Sequence, residues 1–183
     1  MDLLEPLAVS FDHTTKTLAG VRADQLDGPT PCAEWDLRTL VGHVMAVATN
    51  MGHAARGEPL EPKLGDAPSP DDLAEAFRAV SDATLAAWAA CDPGGVVDFG
   101  AGPMPVPIAL AINLLDTTTH CWDVARASGQ DASLPDDLAA TVLGVCQGAV
   151  AEVIRPPRFG PAIAVGGDAR PTDRLVAFLG RRP

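Results

Sequence analysis

Apolar residues recur every three or four positions over five stretches of this chain, the spacing that keeps them on one side of an α-helix. In the first stretch, from Leu4 to about Val21, Leu7, Phe11, Thr14 and Leu18 form the stripe. Pro6 falls in the first turn, where its missing N–H is tolerated. The second stretch begins after Asp36, a good N-cap, with Trp35 before it and Leu40 four positions in as a hydrophobic staple. Leu37, Leu40, Val44, Val47, Ala48 and Met51 make its core face, and His43 lies roughly 40° outside Val47. Ser69-Pro70-Asp71-Asp72 reads as the cap, N1 proline and acidic first turn of a third helix carried by Leu73, Phe77, Val80, Thr84 and Trp88. The fourth runs from about Ile108 to Ser128 with Gly129 at C′, its stripe being Ile108, Ile112, Leu115, Thr119 and Trp122. A fifth, from about Asp136 to Arg155, turns Leu138, Val142, Val145, Ala149 and Val153 inward and stops at Pro156-Pro157. A short helix from about Thr172 to Leu179 follows.

The connections are turn-rich. Asp24 to Glu34 crosses an end of the helices, and Gly57 to Pro70 is a loop punctuated by Pro59, Pro62, Gly65 and Pro68. Val96 to Pro107 combines a β-like run with Gly-Ala-Gly and alternating prolines, as in a small hairpin or an extended loop. The expected fold is all-α: an up-down four-helix bundle with a short hairpin or loop insertion and a small C-terminal helix. At 183 residues, 1–183 reads as a single domain with one core.

The fourth helix carries polar groups at the margin of its stripe. With Ile108 at zero, Asp116, His120 and Asp123 fall at roughly 80°, 120° and 60°. Asp116 and His120, four apart, project side by side, and Asp123 lands near both. Buried charges are usually paired, protonated or bound to a metal. A Zn²⁺-type catalytic site takes three protein ligands and keeps a fourth position open, and His43 with Asp116 and His120 is such a set drawn from two helices. The competing reading makes Asp116 a salt-bridge or capping residue and His120 a buried neutral tautomer. Arg126 is a candidate carboxylate anchor, the simpler assignment being an ion pair with Asp123 on the same helix. Cys32 and Cys121 are candidate soft ligands or nucleophiles, against a plainer role as small buried residues. Trp35, Trp88 and Trp122 read as core or pocket wall, and His13 and His53 as surface residues.

Composition narrows the partners. The net charge of −11 argues against nucleic acid and anionic membrane, which attract basic patches. No run of about 18 apolar residues would span a bilayer, and the N-terminus lacks a basic leader, so a cytoplasmic protein is expected. Four widely spaced cysteines fit neither a zinc ribbon nor a disulfide framework. Small molecules and proteins remain as partners, and the high apolar content admits a homodimer.

Four ordered pieces carry a resemblance: Thr30-Pro31-Cys32-Ala33-Glu34-Trp35-Asp36, Leu40-Val41-Gly42-His43-Val44, the run from Asp116 to Ala127, and Phe159-Gly160-Pro161-Ala162 with Asp173-Arg174-Leu175. Together they resemble the metal-binding domain of mycothiol-dependent maleylpyruvate isomerase, within the DinB-like superfamily, and more narrowly its short metal-binding relatives. The resemblance implies a divalent metal held by a histidine on the second helix and an acid-x-x-x-His pair on a later one, here His43, Asp116 and His120. The isomerase carries Glu where this chain has Asp116. Zn²⁺ leads the candidate ions, with Ni²⁺ or another late first-row metal next. The implied activity is metal-dependent transfer of a low-molecular-weight thiol, or thiol-assisted isomerisation, on a small electrophile with mycothiol as cosubstrate. The alternative class is a non-catalytic metal-binding or dimerising module.

Overall fold

The periodic stretches fold as helices close to where the pattern puts them. The computed structural model describes residues 2–61, 69–150 and 159–183. Helix α1 spans Leu4–Ala19, α2 Leu37–Arg56, α3 Leu73–Ala90, α4 Val106–Ala127, α5 Asp136–Val145 and α6 Pro171–Phe178. Strands β1 (Val96–Val97) and β2 (Met104–Pro105) form a hairpin, one of the two forms expected there, with Val96 opposite Pro105 and Val97 opposite Met104. Among the described residues the protein is all-α apart from this ribbon and an isolated bridge between Pro29 and Asp36.

The chain divides into two compact units, Met1–Ala132 and Ser133–Pro183. In the first, α1 and α2 each pack against both α3 and α4. That arrangement gives every helix two neighbours, so a single narrow stripe under-describes what is buried. In α2, Val41 and Met45 are buried beside the expected Leu37, Leu40, Val44, Ala48 and Met51, whereas Val47 is only half-buried. In α4 the middle is enclosed almost all round, from Asn113 to Leu115, Thr117 to Thr119 and Cys121 to Ala125. Ile108, expected inward, is 38 % exposed; in the first turns of α4 it is Val106, Ala109 and Ala111 that are buried.

Several polar side chains in this interior are hydrogen-bonded. Ser10 Oγ lies 2.9 Å from Thr118 Oγ1, Trp88 Nε1 donates to Asn113 Oδ1 at 3.0 Å, and Thr84 Oγ1 donates to the Ala48 carbonyl at 2.8 Å. Such pairing offsets the desolvation that an unmatched hydroxyl or amide would suffer. Gly129 ends α4 in the left-handed region (φ 70°), with the Gln130 N–H reaching the Ala125 carbonyl at 2.9 Å.

In the second unit α5 packs against α6. Thr172 Oγ1 accepts from the Leu134 N–H at 3.1 Å, and Pro171 takes the first position of α6, one residue ahead of the expected start. Among the described residues the fifth helix is regular only in part. Its α-helical part stops at Val145, and Gly148 has a non-helical backbone (φ −78°, ψ −144°). Gly144 and Gly148, each costly in a helix interior, weaken the continuation. The side chain of Ala149, and residues 151–158 with Val153 and the Pro156-Pro157 stop, lie outside the described residues. No described helix is long and apolar enough to cross a membrane.

Candidate metal centre

Helices α2 and α4 pack side by side, which brings His43 against the Asp116 and His120 pair. Helix α2 is fixed at its start by Asp36, whose Oδ1 accepts the Thr39 N–H at 2.8 Å, as a capping carboxylate should. That hydrogen bond holds the Asp36 carboxyl below its ordinary range. Two turns on, His43 Nε2 lies 3.3 Å from Asp116 Oδ1, and His120 Nε2 lies 3.6 Å from the same oxygen. One donor atom from each of the three residues falls within 4.8 Å of the other two. The two imidazoles meet edge to face, centroids 4.9 Å apart at 82°.

Metal–ligand bonds of about 2.0 to 2.2 Å in a tetrahedron put neighbouring ligand atoms roughly 3.3 to 3.6 Å apart. The two distances at Asp116 Oδ1 have this length, so the donor set fits a divalent ion with mixed nitrogen and oxygen preference. A second group, Cys32 with His120 and Asp123, also brings three donor atoms within 4.8 Å. There the His120 Nδ1 to Asp123 Oδ2 distance is 2.9 Å, shorter than such an edge and ordinary for a hydrogen bond. The two groups differ at His120, whose Nε2 faces Asp116 at a coordination spacing while its Nδ1 is hydrogen-bonded to Asp123; the 3.3 Å between His43 Nε2 and Asp116 Oδ1 also suits a hydrogen bond.

Asp123 is fully buried at its side chain, and His120 is 12 % exposed. Burial alone disfavours the imidazolium. The Asp116 charge, the hydrogen bonds to Asp123 and Cys32 and the Asp123 charge outweigh it and push His120 up to about 10 in the absence of an ion. A carboxylate on Nδ1 is the usual outer partner of a metal-binding histidine, because it fixes the tautomer that leaves Nε2 to face the ion.

The segment before α2 covers this site. Leu37 and Arg38 N–H groups bond back to the Gly28 and Leu26 carbonyls at 3.0 and 2.8 Å, closing the loop on itself. Thr30 Oγ1 donates to the Trp35 carbonyl at 2.8 Å and accepts the Cys32 N–H at 3.0 Å. So held, Trp35 lays its ring 4.6 Å from that of His43 and 5.8 Å from that of His120, while Cys32 Sγ reaches Asp123 Oδ2 at 3.4 Å. Trp35 is a wall of the site. The sequence offered Trp35 as a staple or pocket wall and Cys32 as a soft ligand or small buried residue, but not their places against His120 and Asp123.

Other candidates stand elsewhere. Cys121 is buried against α1, with Thr17 Oγ1 at 3.4 Å, and burial pushes its thiol up, opposed by the Thr17 and Thr14 hydroxyls. Arg126 is exposed, its guanidinium 5.5 Å from the centre of the Trp122 ring, while Asp123 faces His120 and Cys32. His13 is half-buried on α1. His53 is half-buried too, Nδ1 3.1 Å from the Pro59 carbonyl.

Residues 7–125, which include all three candidate ligands, match the model of the mycothiol maleylpyruvate isomerase N-terminal domain. Two uncharacterised proteins of Mycobacterium tuberculosis, from strains CDC 1551 / Oshkosh and ATCC 25618 / H37Rv, are each 36 % identical over 186 residues, spanning 99 % of this chain and 98 % of their own. The crystal structure of the mycothiol-dependent maleylpyruvate isomerase is similar with a TM-score of 0.57 at 18 % identity, over 78 % of this chain and 68 % of that one. That likeness is one of fold, the all-α DinB-like bundle.

Proposed function

The chain belongs to the mycothiol maleylpyruvate isomerase N-terminal domain family, and from that premise we propose that His43, Asp116 and His120 hold one divalent ion, Zn²⁺ first among the candidates, in a site for small-thiol chemistry. The reaction class is transfer of a low-molecular-weight thiol of the mycothiol type to a small electrophile, or thiol-assisted isomerisation of one. The observation that carries this reading is the spacing of 3.3 and 3.6 Å about Asp116 Oδ1, which matches neighbouring ligands on one tetrahedral ion.

The residues divide the task among themselves. His43 and His120 offer Nε2 lone pairs, and Asp116 offers a carboxylate oxygen between them. Asp123 holds the proton of His120 at Nδ1 and so keeps Nε2 available. Trp35 screens the two imidazoles on one side and leaves less room for bulk water there. When bound, a divalent ion in this donor set supplies a Lewis acid, which favours the deprotonated form of a thiol and polarises an electrophile. Three protein donors leave a position for the small molecule.

Metal analysis of protein purified without chelator or affinity-tag metal tests the site. About one divalent ion per chain is expected. His43→Ala and His120→Ala should lose it and His13→Ala and His53→Ala should keep it; equal content in all four removes the assignment. Adding mycothiol to the Co²⁺-substituted protein should then change its absorption through sulfur-to-metal charge transfer. No change with any small cellular thiol would leave a non-catalytic metal-binding module.

A further inference from the structure

Cys32 stands outside the proposed ligand set and touches it from behind. Its S–H donates to Asp123 Oδ2 at 3.4 Å, and the same oxygen lies 2.9 Å from His120 Nδ1. Asp123 is a carboxylate with no exposed side-chain surface. In such surroundings a carboxylate keeps its orientation only through the donors around it. Two of those donors, one from the loop and one from α4, converge on a single oxygen. Moving either removes one of the contacts that set the plane of the carboxylate, and with it part of what orients the imidazole.

The sulfur is placed for this and not for coordination. It lies 3.9 Å from His120 Nδ1, the ring nitrogen that faces away from His43 and Asp116. The Nδ1 to Asp123 distance is that of a hydrogen bond, so an ion between them would have to part the pair first. The loop that presents Cys32 is itself tied: Thr30 grips the Cys32 N–H and the Trp35 carbonyl, and the Trp35 N–H bonds the Cys32 carbonyl at 2.8 Å. Trp35 from the same loop rests on both imidazoles. One short segment therefore meets His120 at its ring face and through its Nδ1 partner.

We infer that Cys32 is a positioning residue: its thiol fixes the Asp123 carboxylate, which fixes the tautomer and plane of His120, and so couples the 30–35 loop to the ion-binding nitrogen. The effect on metal affinity rests on the ligand set proposed above. The effect on His120 itself does not.

The test uses the full chain with Cys32→Ala and Cys32→Ser. Cys32→Ala should weaken Co²⁺ about 10- to 100-fold in a competitive chelator titration, the range for residues that hold a metal-binding histidine in place, and should alter the visible Co²⁺ bands. Cys32→Ser keeps a donor and should recover most of the loss, which simple packing loss would not predict. In the metal-free protein, NMR should show the His120 Nδ1 proton exchanging with water several-fold faster in Cys32→Ala than in wild type and in Cys32→Ser. Equal Co²⁺ affinity and equal exchange in all three proteins would overturn the inference, as would a serine variant no better than the alanine one. A sulfur-to-Co²⁺ charge-transfer band in wild type, lost in Cys32→Ser, would make Cys32 a ligand and also overturn it. If wild type binds no Co²⁺, the metal reading falls and the Nδ1 proton exchange alone decides Cys32. Should Cys32→Ala not fold, the infrared difference between wild type and Cys32→Ser isolates the Cys32 S–H stretch. A lowered, hydrogen-bonded frequency supports the inference, and a free-thiol frequency ends it.

Discussion

Asp116 and Asp123 sit two turns apart on α4 and meet opposite sides of the same imidazole. Asp116 Oδ1 lies near Nε2 of both histidines, and Asp123 Oδ2 lies at Nδ1 of His120. Asp116→Ala should therefore lose metal at stoichiometric concentrations, whereas Asp123→Ala should bind about 10- to 100-fold more weakly. A competitive chelator titration checks the order, and the reverse order would make Asp123 the ligand. Acidity gives a second handle on the same ring. His120 is raised from an ordinary 6.5 to about 10 in the metal-free fold, burial opposing the charge and the neighbouring carboxylates prevailing. A value raised on folding contributes stability that is full below the unfolded value and is lost as pH rises through the folded one. His120→Gln should thus flatten the pH dependence of metal-free stability between about pH 6.5 and 10, read by urea titrations across that window. The ion replaces this proton, so affinity should strengthen with pH, by up to about a decade per unit. Chelator competition at about pH 6, 7 and 8 would show it, and a flat profile would remove His120 from the ligand set.

At the scale of the element, α2 carries two glycines with opposite roles. A Cβ at Gly42 would meet nothing within 4 Å, whereas one at Gly52 would come within 2.6 Å of Thr84 Oγ1. That hydroxyl is committed to the Ala48 carbonyl, where α3 lies close against α2. Gly42→Ala should stabilise by about 0.5–1 kcal/mol, since alanine loses less backbone entropy in a helix. Gly52→Ala should destabilise by about 1–3 kcal/mol, the usual consequence of overpacking. Urea midpoints measure both, and a shift of the same sign in the two variants would refute the close approach at Gly52.

For the whole molecule, the expected ligands come from α2 and α4, two helices of the Met1–Ala132 unit that pack on each other. A metal ion that binds only the folded form should stabilise it by about 2.7 kcal/mol at a hundred times its dissociation constant. The melting temperature should rise on adding Zn²⁺ and fall back with chelator. Hydrogen exchange should localise the gain to α2, α4 and the loop ahead of α2; protection confined to the Ser133–Pro183 unit would place the ion elsewhere.

What the sequence determined by itself was what short-range geometry controls. The helix registers, the Asp36 cap on Thr39, the left-handed Gly129 and the hairpin all follow from backbone dihedrals and hydrogen bonds within a few residues. The Asp116 and His120 pair belongs here too, because residues four apart on a helix are neighbours wherever the helix goes. The tertiary structure decided how many sides of each helix are covered, which is why Val41 and Met45 are buried while Val47 and Ile108 are not. It also decided that Cys32, distant along the chain, closes on Asp123, whose nearness to His120 the helix spacing had already placed. Trp35 and Cys32 reached the site the same way: a loop has no periodicity to read, and its side chains take their places only when contacts distant along the chain close around them.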